Sequence, residues 1–180
     1  MKAIILAGGR GKRLRPITDK IPKPLILINN KPLIERTINY LKTYGITEII
    51  VSSGYKSNLI EKFLKKKKNF GCNIIFSIEK TPLGTGGAIK KALKFVDEES
   101  FVVLNGDIVT NIDLKKILKK PNTIASNELK TKFGTMDIQN NKILKFNEKK
   151  DVTNVWMNPG IYHLSKNIEK LIPRKGSLEG

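Results

Sequence analysis

Short apolar runs alternate with amphipathic helical stretches over the first half of the chain. Strands are predicted at residues 2–6, 48–52, 73–78 and 101–104, and helices at residues 32–44, 57–66 and 85–95. Gly45 and Gly71 each follow a helical stretch, as expected of glycines that end helices. Strands that alternate with helices pair in parallel, so the pattern predicts an α/β fold with a doubly wound sheet.

The character of the sequence changes after residue 120. Short strand-like segments follow at residues 123–126, 135–138, 142–146 and 155–162, and Asn140-Asn141 predicts a hairpin turn. The chain has 180 residues, 39% of them hydrophobic, which is enough for one sizeable core. We therefore expect one domain over residues 1–180, with a nucleotide-binding half at 1–120 and a more irregular half at 121–180.

The loop after the first strand, residues 6–16, has the sequence LAGGRGKRLRP. Its glycines leave backbone N–H groups free to face an anion, and four cations surround them: Arg10, Lys12, Arg13 and Arg15. The loop does not match either of two known nucleotide-binding motifs, the dinucleotide fingerprint and the P-loop. Leu14 stands where a dinucleotide fingerprint needs its third glycine, and Arg13 replaces the Ser or Thr of a P-loop. The segment is therefore either a phosphate-binding loop or a tight turn without a ligand.

Three more polar segments follow predicted strands, at the edge where open α/β sheets bind ligands. Residues 79–88, EKTPLGTGGA, either bring a ligand against glycine backbone or form a turn with Thr85 as a helix N-cap. Asp107, after Asn105-Gly106, is either a magnesium ligand or a turn aspartate. Residues 146–149, FNEK, and 158–162, NPGIY, carry groups that suit sugar hydroxyls and a phosphate, although a Glu-Lys pair is common on surfaces.

In this order the segments, together with Pro22-Lys23-Pro24, resemble the sugar-1-phosphate nucleotidyltransferase family. The resemblance covers nearly the whole chain and implies a Rossmann-like mixed sheet in three layers, α/β/α. It implies synthesis of a nucleotide sugar and pyrophosphate from a nucleoside triphosphate and a sugar 1-phosphate, with Mg²⁺ as cofactor. Residues 77–88 look most like members that use GTP with mannose 1-phosphate or heptose 1-phosphate. Members that use UTP, dTTP or CTP, including glucose-1-phosphate uridylyl- and thymidylyltransferases, share the scaffold and form the alternative.

The resemblance also implies roles for individual residues. Arg13, Lys23 and Asp107 would be catalytic, with Asp107 as the metal ligand. The nucleotide would be bound by Leu6, Gly8, Gly9, Gly11, Lys12, Arg13, Glu79 and Gly84. The sugar phosphate would be bound by Gly87, Gly134, Glu148, Lys149 and Asn158.

The sequence departs from the family pattern in three places. Lys12 occupies a position where the family usually has Thr. Pro159 occupies a position where the family usually has Ala or Gly. After Ser177-Leu178-Glu179 the family continues with a stretch that closes the sheet and supplies a second metal-binding aspartate, which has no counterpart here. We therefore expect either a shortened chain or a short form with a weakened or lost metal site. The latter could bind a nucleotide sugar without turning it over.

Charge and cysteine content limit the other classes of protein to which the chain could belong. The net charge of +18 predicts attraction to phosphates and makes a nucleic-acid-binding protein the rival from another class. With aromatics at 7% and no RNA-binding motif or zinc finger, no nucleic-acid partner is expected. Cys72 is the single cysteine, which fits a reducing cytoplasm, and no apolar run is long enough to cross a membrane. A homo-oligomer is possible, and His163 is expected to be structural.

Overall fold

The computed structural model describes residues 1–129, 133–147 and 155–179. Its strands are β1 (Lys2–Ala7), β2 (Leu27–Ile28), β3 (Lys31–Pro32), β4 (Glu48–Ser53), β5 (Asn73–Ile78), β6 (Ser100–Asn105), β7 (Thr123–Ile124), β8 (Asn127–Glu128), β9 (Thr135–Gln139), β10 (Lys142–Asn147), β11 (Trp156–Met157) and β12 (Ile161–Ser165). Its α-helices are α1 (Ile17–Lys20), α2 (Leu33–Thr43), α3 (Ser57–Lys66), α4 (Gly84–Ala92) and α5 (Leu114–Leu118).

Six strands form the central sheet in the order β5-β4-β1-β6-β12-β7. The first four are mutually parallel, and β12 and β7 are antiparallel to their neighbours. From β1 the chain moves outward through β4 to β5, and then returns to the other side of β1 at β6. The predicted mixed, doubly wound sheet is therefore confirmed, with its topological switch point beside β1.

Each face of the sheet is covered by a separate apolar core. Alternate residues of β1 enter opposite cores, since Ile5 packs with α2 and α3 whereas Ile4 packs with α4. Both isoleucines are fully buried. The layers are therefore helix, sheet and helix, as the family resemblance implied.

The predicted elements of the first half lie within a few residues of the observed ones. The predicted helix at residues 85–95 begins at Gly84 and ends in a 3₁₀ turn at Leu93–Phe95. Thr85 is therefore inside the helix and is not its N-cap.

His163 is buried in β12, where Nδ1 lies 3.0 Å from the Lys120 carbonyl and Nε2 lies 3.0 Å from Ser100 Oγ, which fits the expected structural role.

The second half differs more from its prediction. The strand expected at residues 155–162 is divided into β11 and β12 by a turn in which Gly160 has φ +76°. The hairpin predicted at Asn140-Asn141 is confirmed, with φ of 49° and 60° at the two residues, as a primed turn requires.

Within the described residues, no helix has the length and apolarity needed to span a membrane.

Candidate active site

A cleft of about 460 Å³ opens at the carboxyl ends of β1 and β6, on either side of the switch point. Open α/β sheets bind ligands at this position because the loops after neighbouring strands diverge there. Its lining residues are Leu6, Ala7, Gly8, Gly9, Gly11, Lys12, Arg13, Leu14, Lys23, Pro24, Glu79, Pro82, Gly84, Thr85, Ala88, Asn105 and Asp107. The structure thus brings together every residue for which the resemblance implied a role in catalysis or nucleotide binding.

The glycine-rich loop is shaped by two contacts. Gly11 has φ +63°, a conformation that favours glycine, and its carbonyl accepts a hydrogen bond of 3.0 Å from the buried Thr18 hydroxyl. At Gly8, a Cβ atom would lie 2.5 Å from Glu79 Oε1. The absence of a side chain at Gly8 therefore lets the Glu79 carboxylate lie directly against the loop.

Glu79 is held at the carboxyl end of β5. Its Oε2 atom accepts a hydrogen bond of 3.0 Å from the Leu83 N–H, and its Oε1 atom lies 3.4 Å from the Ser52 hydroxyl. The backbone N–H of Glu79 also donates to the Ser53 carbonyl at 2.7 Å. The carboxylate is half-buried and keeps free acceptor capacity toward the cleft, because each of its oxygens has two lone pairs.

The four cations of the loop divide into two pairs. Arg10 lies over the Tyr55 ring, 5.8 Å from its centroid, and Arg15 forms an ion pair of 3.2 Å with Asp19. Lys12 and Arg13 line the cleft instead. Both are exposed, and Arg13 makes no hydrogen bond or ion pair within the part of the chain that the structure describes. These two cations are available for a polyphosphate.

Lys23 and Asp107 face each other across the cleft and form an ion pair. Asp107 follows β6. The preceding Gly106 donates its N–H to the Leu6 carbonyl of β1 at 2.8 Å, and it lies so close to β1 that a Cβ atom there would be 2.8 Å from the same oxygen. No cluster of three His, Cys, Asp or Glu side chains suited to a metal occurs among residues 1–129, 133–147 and 155–179. One carboxylate still fits magnesium, which commonly binds through one or two carboxylates and the substrate phosphates.

Residues 173–179, here named the strap, pack on the first turn of α4. The Gly176 N–H donates to the Leu83 carbonyl at 2.8 Å, and the Gly176 carbonyl accepts from the Gly86 N–H at 3.0 Å. A Cβ at Gly87 would lie 2.6 Å from the Arg174 carbonyl oxygen. The sequence suggested that these helix glycines admit a ligand; in the structure Gly84, Gly86 and Gly87 instead admit the strap, and of the three Gly84 also lines the cleft.

The strap also carries Glu179 into a polar cluster beside Thr85. Its carboxylate accepts hydrogen bonds from the Tyr162 hydroxyl at 2.5 Å and from the Ser177 hydroxyl at 2.7 Å. The Thr85 hydroxyl lies 3.4 Å from Oε2, and it accepts from the Leu178 N–H at 2.8 Å. Sequence reasoning assigned no role to Glu179 or Tyr162, because the cluster joins residues that are far apart in the chain.

The cluster changes the ionisation of both groups. Burial, followed by the hydrogen bond to Glu179, raises the pKa of Tyr162 to about 12. Hydrogen bonds from Ser177 and Tyr162 lower the pKa of Glu179 below its ordinary value. The stabilisation from Glu179 is therefore present above its ordinary pKa and is lost as the pH falls through its folded value. The stabilisation from Tyr162 is lost only as the pH rises toward 12.

The residues predicted to bind the sugar phosphate are not gathered at the cleft in the same way. Asn158 lies at the Glu179 cluster, and its Nδ2 atom donates to the Tyr162 hydroxyl at 2.8 Å. Gly134 is exposed next to β9, and Gly87 is buried against the strap; neither lines the cleft. Glu148 and Lys149 lie outside the described residues, so their contacts stay predictions.

A family model described as "Nucleotidyl transferase" matches residues 2–177 of the chain. The chain belongs to this family. Together with the relatives described next, this match confirms the resemblance to sugar-1-phosphate nucleotidyltransferases.

Two curated relatives of this nucleotidyltransferase are D-glycero-alpha-D-manno-heptose 1-phosphate guanylyltransferases. The one from Campylobacter jejuni is 43% identical in an alignment of 173 positions that covers 93% of this chain and 77% of the relative. The one from Aneurinibacillus thermoaerophilus is 39% identical in an alignment of 176 positions that covers 93% of this chain and 76% of the relative. The mannose-1-phosphate guanyltransferase of Saccharomyces cerevisiae is 36% identical in an alignment of 190 positions that covers 97% of this chain and 53% of that protein.

A solved structure shows the same fold. The crystal structure of HddC from Yersinia pseudotuberculosis complexed with GMP-PN matches 99% of this nucleotidyltransferase and 83% of that chain. The TM-score is 0.76 and the sequence identity is 34%. The fold class predicted from the sequence, that of nucleotide-diphospho-sugar transferases, is therefore confirmed.

Proposed function

We propose that this nucleotidyltransferase transfers a guanylyl group from GTP to a sugar 1-phosphate of the mannose or manno-heptose type, releasing pyrophosphate. The names of its relatives support this substrate pair. Within the chain, the observation that carries the proposal is the Glu79 carboxylate at the cleft, beside Gly8.

A carboxylate at this position favours guanine over the pyrimidines. An ionised carboxylate only accepts hydrogen bonds, and guanine presents two adjacent donors, N1–H and N2–H, on one edge. Uracil and thymine present one donor flanked by two carbonyl acceptors, which a carboxylate repels. Glu79 therefore complements guanine and disfavours UTP and dTTP.

The proposed reaction is an in-line displacement without a protein nucleophile. An oxygen of the sugar 1-phosphate attacks the α-phosphorus of GTP, the α–β phosphoanhydride bond breaks, and pyrophosphate leaves with the electron pair. Lys12 and Arg13 at the cleft, with Lys23, would hold two anionic reactants that otherwise repel each other and would neutralise the developing charge. Magnesium, for which Asp107 is the candidate ligand, supplies further charge neutralisation when it is bound.

The experiment that tests this function measures pyrophosphate release with Mg²⁺. GTP, UTP, dTTP and CTP are each combined with mannose 1-phosphate, heptose 1-phosphate and glucose 1-phosphate. Release that requires GTP and a manno-configured sugar 1-phosphate is the expected result. Release with glucose 1-phosphate and UTP or dTTP would replace the proposal with the pyrimidine alternative. Saturable GTP binding without release would replace it with a binding protein that does not turn over.

The proposal also covers the cellular compartment of the reaction and the binding partners of the protein. Cys72 is buried and free, as suits a reducing compartment, and we place the activity in the cytoplasm. The partners are the two small substrates, and the positive charge of the chain serves their phosphates rather than a nucleic acid. Salt-dependent oligonucleotide binding without discrimination among nucleoside triphosphates would contradict this assignment.

A further inference from the structure

A second cavity, of about 240 Å³, lies on the face of the sheet that α2 covers. It is here named the α2 pocket. Its walls are Arg36, Asn39 and Tyr40 of α2 and residues 108–110 of the loop after β6. No residue that lines it also lines the cleft of the candidate active site, so the two cavities are separate.

The charged groups of the α2 pocket are both cations. Lys31 and Arg36 line it, and no carboxylate does. The exposed Lys31 side chain has no hydrogen bond or ion pair within residues 1–129, 133–147 and 155–179. Arg36 donates from Nη2 to the Ile28 carbonyl, and its Nε atom is buried without a partner. Of the five N–H donors of this guanidinium, only one therefore has a partner in the described part of the chain.

Two neutral side chains add further donors to the pocket. The Thr110 hydroxyl oxygen accepts from the Ile112 N–H at 3.1 Å, so its own hydrogen is left to donate. The exposed Asn39 amide carries two donor hydrogens and makes no hydrogen bond to another described residue. Cations and neutral donors without a carboxylate favour a ligand that is negatively charged and rich in acceptor oxygens.

The floor and the size of the pocket narrow the class of ligand. Leu104 is fully buried there, and Ile108 and Tyr40 pack on the same apolar core. The volume lies below the range of about 300–1,000 Å³ that is typical of pockets for drug-sized ligands. A phosphoryl group offers three acceptor oxygens and up to two negative charges, which matches two cations and two neutral donors. A phosphoryl group on a short carbon body therefore fits both the rim and the floor.

One wall of the α2 pocket is continuous with the cleft. Residues 108–110 directly follow Asp107, which lines the cleft. This loop is fixed at both ends, because the Gly106 N–H donates to the Leu6 carbonyl at 2.8 Å and the Ile112 carbonyl accepts from the Tyr40 hydroxyl at 2.7 Å. A ligand that contacts residues 108–110 therefore acts on a short, tethered segment that carries Asp107.

We infer that the α2 pocket is an effector site that binds a small organic phosphate and is coupled to the cleft through residues 107–110. The site goes beyond the proposed function, because neither substrate of the reaction has to occupy it. Only the coupling rests on the proposed function. Coupling between two sites is reciprocal, so each ligand changes the affinity of the other by the same factor.

The first test detects binding at Arg36 with glycerol 3-phosphate as the probe. The NMR signal of the Arg36 Nε–H is observable because burial protects this hydrogen from exchange with water, and Arg36→Lys assigns it. The signal should shift saturably with glycerol 3-phosphate, but not with glycerol or with sodium chloride at equal ionic strength. The shift should persist in Arg13→Ala, because Arg13 lines the other cavity. A shift confined to Arg13 would overturn the inference.

Inorganic phosphate, titrated in the same way, separates the two sources of a phosphoryl group. It should shift the Arg36 signal only at higher concentration, because it has no carbon body to bury on the apolar floor. Equal or tighter binding of inorganic phosphate would overturn an organic phosphate as the ligand class.

A matched pair of variants tests the pocket against the overall charge of the chain. Asn39→Asp places a carboxylate in the pocket without removing either cation, and should raise the dissociation constant of glycerol 3-phosphate about tenfold or more. Asn58→Asp makes the same change of charge at an exposed asparagine of α3, outside both cavities, and should change that constant by less than about twofold. Equal losses in the two variants would show that only net charge attracts the phosphate, and would overturn the inference.

Coupling is measured by repeating the titration with GTP and Mg²⁺ present. The dissociation constant of glycerol 3-phosphate should change about fivefold or more, and that of GTP should change by the same factor at saturating glycerol 3-phosphate. Constants that do not change, in a protein that binds GTP, would overturn the coupling. A protein that binds no GTP would overturn the proposed function and the coupling with it, whereas the Arg36 titration would still decide whether the site exists.

Discussion

The Glu79 carboxylate lies against the Gly8 backbone, so closely that a Cβ atom on Gly8 would be 2.5 Å from Oε1. Gly8 follows β1 and Glu79 follows β5, with β4 between these two strands in the sheet. A glycine of the loop proposed to bind phosphate is therefore in direct contact with the acceptor proposed for the base. A change in either residue should alter base recognition.

Gly8→Ala should weaken GTP binding without unfolding the protein. The atom that meets the new Cβ is the end of a flexible side chain, so Glu79 can move away at low cost in stability, but it then leaves the position proposed for guanine. Steady-state kinetics should show a raised KM for GTP, and thermal unfolding should show a nearly unchanged Tm. Gly9→Ala is the folding control, because a Cβ at Gly9 would meet nothing within 4 Å.

Glu79→Gln should relax the choice of base. A glutamine presents one acceptor and one donor, so it loses one of the two matches to guanine and gains a match to a pyrimidine edge. We expect the ratio of kcat/KM for GTP over UTP to fall by about 10- to 100-fold. Glu61→Gln, which breaks an exposed pair with Lys65 on α3, should leave the ratio unchanged. An unchanged ratio in Glu79→Gln would remove the basis for guanine selection by this carboxylate.

Arg13→Ala should reduce turnover by roughly 10²- to 10³-fold, because Arg13 lines the cleft, has no partner among the described residues and can therefore stabilise phosphate charge. Lys67→Ala removes an exposed lysine that lies just after α3 and outside the cleft, and should change turnover by less than about twofold. Pyrophosphate release under saturating substrates is the measurement. Equal losses in the two variants would mean that only the overall charge matters.

Removal of divalent metal with a chelator should abolish pyrophosphate release, and added Mg²⁺ should restore it. Asp107→Asn should raise the Mg²⁺ concentration needed for half-maximal activity, since a neutral amide replaces the candidate carboxylate ligand. Asp97→Asn is the matched control, because Asp97 pairs with Lys2 at the opposite end of β1. Full activity in the presence of chelator would exclude a metal role for Asp107.

Gly87→Ala should destabilise the fold through the strap. The new methyl group would lie 2.6 Å from the Arg174 carbonyl oxygen, which belongs to backbone and cannot turn aside. Overpacking of this kind costs about 1–3 kcal/mol, against a gain of about 1 kcal/mol from the better helix propensity of alanine. Urea unfolding should show a lower midpoint than in Gly9→Ala. An equal or higher midpoint would show that the strap is not packed on α4 in solution.

The local sequence pattern determined most of the fold and placed most of the polar residues that line the cleft. The parallel strands are continuous apolar runs, because both of their faces are buried, and the helices between them have an apolar stripe. Parallel strands end at one edge, so the glycine loop, Glu79 and Asp107 had to meet there. These residues follow directly from strand ends, which is why sequence alone could place them.

Tertiary structure decided what depends on contacts between distant parts of the chain. The sequence shows glycines at 84, 86 and 87 but not that residues 173–179 lie on them. It shows Asn158 and Glu179 but not that both side chains form hydrogen bonds with Tyr162. The meeting of two loops depends on packing and on the closing of long segments of chain, for which no short-range periodicity exists.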